Sequence, residues 1–110
     1  MEENFNKLTP AETERLAWLI EECGEVVKAG SKILRHGYYS YDPSDPDHKG
    51  NRDDLQREVI DVLQAIILMA LTEDISPTFL EEALAPMYES ENIKVRYMHH
   101  QNGIEGVINV

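Results

Sequence analysis

The chain has 110 residues, 42% of them hydrophobic and 28% charged, and a formal net charge of −11. That length favours one domain with a modest core, and the acidic balance repels phosphate backbones, which speaks against a nucleic-acid partner. The longest apolar run, Ala65 to Leu71, is far too short to span a bilayer, so no membrane partner is expected.

Cys23 is the one cysteine, which excludes an internal disulfide and a cysteine-based zinc site. Met1-Glu2-Glu3-Asn4 lacks the basic and apolar regions of a secretory leader. The expected location is therefore cytoplasmic. Leu, Ala, Glu and Ile are frequent while aromatic and β-branched runs are few, so the expected class is all-α.

Residues 1–8 read as a lead-in. Thr9-Pro10-Ala11-Glu12 predicts a helix start, with Thr9 as cap, Pro10 at the first helical position and Glu12 closing a capping box. The first helix then runs to about Arg35, stopped by His36-Gly37. Its apolar surface is Leu16, Leu19, Ile20, Cys23, Val26, Val27, Ile33 and Leu34, with Cys23 expected to serve in packing. Gly24 and Gly30 each weaken a helix by roughly 1 kcal/mol against alanine, which predicts close approach of another helix or a ligand.

Residues 37–50 hold two prolines, two glycines and several Asp and Ser residues, and read as a loop. Tyr38, Tyr39 and Tyr41 either take part in function or pin the loop to the helices. Asn51 is expected to cap a second helix reaching about Thr72. Leu55, Val59, Val62, Leu63, Ile66, Ile67 and Ala70 form its apolar stripe. At about 100° per residue, Asp54, Glu58, Asp61 and Ala65 share the adjoining face. Ser76-Pro77 predicts a third helix, which Pro86 kinks or restarts, with helical pattern to about His99. The tail from Gly103 has no helical period and reads as a strand, a swapped arm or a loose end.

The chemistry concentrates in Glu21-Glu22-Cys23-Gly24-Glu25 and in Glu58 with Asp61. Glu22 and Glu25 are three apart, as are Glu58 and Asp61, so each pair shares a helix face. Acids beside an apolar seam are costly unless compensated. One compensation is ion pairing with Lys28, Lys32 and Arg57. The other is a hard divalent cation gripped by carboxylates from two opposed helices.

The pattern Glu-Glu-x-x-Glu, a loop, then Glu-x-x-Asp resembles the signature of the all-α nucleoside triphosphate pyrophosphohydrolases, the MazG-like superfamily. The resemblance covers about residues 10–75. The elements read above make a helical bundle of two long helices plus a kinked or broken third, with more apolar face than one chain can cover, so the core is expected to be completed by dimerisation; the resemblance implies a homodimer or a dimer of dimers. It implies Mg²⁺-dependent cleavage of a nucleotide substrate between the α and β phosphates, giving a monophosphate and pyrophosphate, with Mn²⁺ as the alternative ion. By the same resemblance Glu22, Glu25, Glu58 and Asp61 are metal ligands, and Glu21 is a further ligand or orients the attacking water.

The 32 residues between Glu25 and Glu58 exceed the family's usual interval, and the excess falls in the Tyr-rich loop. Polyphosphate-binding cations are sought among Lys28, Lys32, Arg35, Arg52, Lys94 and Arg96. Trp18, one turn before the acids, is a candidate for stacking on a base, as are the loop tyrosines. The alternative reading is a non-catalytic helical module that binds a protein partner and keeps a vestigial metal site. A third reading is a related hydrolase acting on a phosphoribosyl nucleotide.

Overall fold

The computed structural model describes residues 5–87 and 98–101. Within them the chain is all-helical. The helices are α1 (Pro10–His36), α2 (Asn51–Leu71) and α3 (Pro77–Met87). Among the described residues the only β feature is an isolated antiparallel bridge between Tyr41 and Gly50. No described helix is long and apolar enough to cross a membrane. The chain divides into two units, Met1–Asp74 and Ile75–Val110.

The start of α1 follows its local chemistry. Thr9 Oγ1 accepts from the Glu12 N–H at 3.1 Å, and Glu12 Oε1 accepts from the Thr9 N–H at 2.8 Å. Pro10 opens the helix, where its missing N–H is no loss. At the other end Gly37 adopts φ +85°, a region open to glycine, and its N–H donates to Ile33 O.

The loop after α1 closes on itself at the base. Asn51 N–H donates to Ser40 O and Arg52 N–H to Tyr38 O. The predicted cap of α2 is corrected here. Asn51 is the first helical residue, and Gly50 is the cap. Asp53 Oδ2 accepts the Gly50 N–H, while the Asn51 amide reaches back to Gly37 O at 2.9 Å. Asn51 is 2% exposed, so its amide serves as a rivet across the loop neck. Gly50 suits the capping position because a Cβ there would lie 3.2 Å from Tyr38 O.

The end of α2 is a Schellman turn. Asp74 N–H donates to Met69 O and Glu73 N–H to Ala70 O, with Glu73 at φ +65°. This turn brings Asp74 back to α1. Arg15 donates through Nε and Nη2 to the two Asp74 carboxylate oxygens, at 2.5 and 2.8 Å. A planar guanidinium gripping a carboxylate through both oxygens is the strongest form of side-chain ion pair. It ties the first two turns of α1 to the far end of α2, which fixes the two helices as a hairpin.

The hydrogen bond and charge of Arg15 hold the Asp74 carboxyl below its ordinary value. A depressed carboxylate contributes stability above its unfolded value of about 3.9, and loses it as pH falls through the lower folded value. Arg15→Met, which keeps the stem and removes the fork, is therefore expected to lower the thermal midpoint more than Arg57→Met, whose Asp54 pair is more exposed. Thermal scans at neutral pH, and again below pH 3, check this. The deficit of Arg15→Met should shrink in acid.

Among the described residues the buried apolar positions are Ala29, Ala65, Met69 and Ala70. The expected stripes are only partly covered. Ile20 is 70% exposed, Val27 67% and Leu34 89%, and Val59, Leu63 and Ile67 are also exposed. Cys23 is exposed rather than packed, correcting the expectation for it. It lines an apolar hollow of about 210 Å³ with Val26, Val59, Val62 and Leu63. Within the chain no other helix makes the close approach expected at the interior glycines, since a Cβ built at Gly24 or Gly30 would meet nothing within 4 Å beyond its own helix.

In the second unit, Ser76 Oγ accepts from the Phe79 N–H at 3.2 Å and Pro77 is the first residue of α3. Pro86 lies inside α3, which is described to Met87. The helical pattern expected to about His99 does not reach it, since Met98 and His99 are non-helical; the rest of the restart beyond Pro86, and the tail from Gly103, lie outside the described residues.

Candidate functional site

Spacing places the acids on the face between α1 and α2. Ala29 is buried and lies seven residues, about two turns, after Glu22. Ala65, with no exposed surface, lies seven after Glu58. The carboxylates therefore continue the stripes that bury alanine further along each helix. Glu22, Glu58 and Asp61 are all half-buried.

Each of these three contributes one carboxylate oxygen to a cluster in which the oxygens lie within 4.8 Å of one another. Two helices supply it, joined as the hairpin above. Among the described residues no Lys or Arg pairs with Glu22 or Asp61, and Arg57 Nε stands 4.0 Å from Glu58. The cluster is thus under-compensated. Glu22 feels this most. Burial first, then the Asp61 carboxylate, push its carboxyl above the ordinary value, while a hydrogen bond from Trp18 opposes. Trp18 Nε1 donates to Glu22 Oε1 at 3.1 Å.

A carboxyl raised above its unfolded value costs the folded chain stability once ionised, and the cost disappears as pH falls and it protonates. Glu22→Gln is accordingly expected to raise the thermal midpoint of the cation-free chain at pH 7. The gain over wild type should vanish near pH 3. An unchanged midpoint at pH 7 would show that the three carboxylates do not strain one another.

Beside the cluster lies a pocket of about 200 Å³ lined by Glu25, Lys28, Ala29, Lys32, Asn51, Asp54, Arg57 and Glu58. Glu58 belongs to both the pocket lining and the cluster. Glu25 stands on the pocket wall and outside the three-oxygen group. Glu21 is exposed on α1. Lys28 and Lys32 face the pocket as their spacing from the acids predicts, and Arg35 is exposed near the end of α1. Lys94 and Arg96 lie outside the described residues.

Asp54, Arg57 and Asn51 were not singled out as site residues. Asp54 Oδ1 accepts from Arg57 Nη2 at 3.1 Å, and its other oxygen lies 4.0 Å from Lys32 Nζ across the helices. Its place on the face of Glu58, four residues away, was the available signal.

Two loop tyrosines meet a residue of α2, and the third stacks within the loop. The Arg52 guanidinium carbon lies 4.9 Å from the Tyr38 ring centre and 5.2 Å from that of Tyr39. Tyr41 stacks on His48 with centroids 4.7 Å apart. The two Arg52 contacts join the loop to the start of α2.

The donor set suits a hard divalent cation. It is all oxygen and anionic, and it is held on two rods joined by hydrogen bonds and a buried amide. Comparison of the chain with protein-family models, with curated proteins and with solved structures finds no match.

Proposed function

We propose that this chain is a Mg²⁺-dependent nucleotide pyrophosphohydrolase of the MazG-like kind, releasing pyrophosphate from a nucleoside triphosphate or a related nucleotide. The observation that carries the reading is the convergence of Glu22, Glu58 and Asp61 from two helices, under-compensated, with Glu58 also lining a pocket that holds Lys28, Lys32 and Arg57. Glu22, Glu58 and Asp61 hold the ion, Glu25 completes the set from the pocket wall, and Glu21 orients water or adds a ligand. Mn²⁺ is the other ion this donor set accepts. When bound, such an ion supplies positive charge to a phosphoanhydride and acidifies water.

The chain's own cations do the rest. Lys28, Lys32 and Arg57 line the pocket and are placed to take polyphosphate oxygens. Asp54 holds Arg57 in place and keeps Lys32 within reach, so the pocket is charge-balanced before substrate enters.

The uncovered apolar surface belongs to the same proposal. Ile20, Cys23, Val27, Gly30 and Leu34 step by three and four residues along α1, the spacing of a seam that packs on other helices. A second copy of the chain covers this seam and completes the core. The same surface also favours the rival reading, a helical module that binds another protein and does no chemistry.

The test is pyrophosphate release from a panel of nucleotides, with and without Mg²⁺. Turnover that requires the ion supports the hydrolase. No turnover across the panel favours the module. Cleavage confined to a phosphoribosyl nucleotide would point to the related hydrolase instead.

A further inference from the structure

We infer that Trp18 is a positioning residue, its indole N–H holding the Glu22 carboxylate toward Glu58 and Asp61 so that the three can grip a divalent cation. The inference rests on the cation reading above and adds a residue to it.

Trp18 and Glu22 are four apart on one face of α1, and the bond between them is 3.1 Å. It is the only hydrogen bond to the Glu22 carboxylate among the described residues. Glu22 has three rotatable side-chain bonds and two acidic neighbours that repel it. Left alone, it gains by swinging toward water. Trp18 has two rotatable bonds, a half-buried ring and one donor, and it spends that donor on Glu22. One Glu22 oxygen is fixed by the indole, and the carboxylate keeps acceptor capacity for an ion. Groups that hydrogen-bond a metal ligand from behind change metal affinity by about 10–100-fold when removed.

Trp18 is the only tryptophan in these 110 residues, so the chain gives a single indole signal. Two measurements test the inference. Calorimetric titration with Mn²⁺ should show Trp18→Phe binding about 10–100-fold more weakly than wild type. In ¹⁵N-labelled wild type, the indole N–H resonance should move as Mg²⁺ is added and stop moving at saturation. Packing alone would explain neither result. Equal Mn²⁺ affinity in a folded Trp18→Phe, or an indole resonance that stays fixed through Mg²⁺ saturation, would overturn the inference and leave the cation site standing. Should Trp18→Phe fail to fold, the resonance decides. A wild-type chain that binds neither ion removes the cation reading itself, and this role with it.

Discussion

Glu58→Ala should leave the chain folded and cut Mg²⁺-dependent pyrophosphate release roughly a hundredfold or more. The size follows from position. Losing a group that merely supports a metal ligand already costs about 10–100-fold, and Glu58 is a ligand in the proposed set. It also lines the cation-bearing pocket, so both the ion and the polyphosphate lose a wall. Folding should survive because removing Glu58 relieves its repulsion with Glu22. Steady-state assays of wild type and variant across Mg²⁺ concentrations check the prediction. Unaltered turnover in Glu58→Ala would mean that hydrolysis, if present, occurs elsewhere.

Wild type is expected to assemble into more than one chain, and Val27→Glu to be a monomer. Val27 is 67% exposed between Ile20 and Leu34, themselves 70% and 89% exposed, in the middle of the α1 seam. On α2, Ile60, Leu63, Ile67 and Leu71 are exposed in turn at steps of three and four. Fully burying one such side chain is worth about 1.5–3 kcal/mol. Several of them together supply the driving force for a helical interface, and a charge in their midst opposes it. Sedimentation velocity at micromolar concentration should show wild type larger than one chain and the variant as one chain. A monomeric wild type would remove the second copy from the proposal.

What the sequence made legible was local. Thr9, Pro10 and Glu12 are neighbours whose bonds form within one turn, so the start of α1 could be read from three letters. Glu22, Glu58 and Asp61 could be found because helical spacing projects each pair onto one face before any tertiary contact is known. What stayed hidden depends on which turn meets which. The Arg15–Asp74 clamp joins residues 59 apart through a Schellman turn centred on a glutamate, which carries no glycine signal. Asn51 looked like a cap because asparagine caps helices. Its amide is instead taken by a carbonyl fourteen residues back, and glycine suits the cap because a Cβ there would crowd the Tyr38 carbonyl oxygen at 3.2 Å. Cys23 looked like core because it sits in an apolar stripe, but a stripe does not reveal whether its cover comes from the same chain.

The neck at Gly37, Tyr38 and Ser40 against Asn51 and Arg52 has a consequence for how this molecule can vary. Because the two stretches of chain are stitched together below the loop, the ten residues from Tyr41 to Gly50 above the stitch carry no tension between the helices. Their number and chemistry can drift, shrink or be exchanged for a foreign segment while the acidic grip keeps its spacing. The scaffold thus separates the part that must stay fixed from the part free to acquire new specificity.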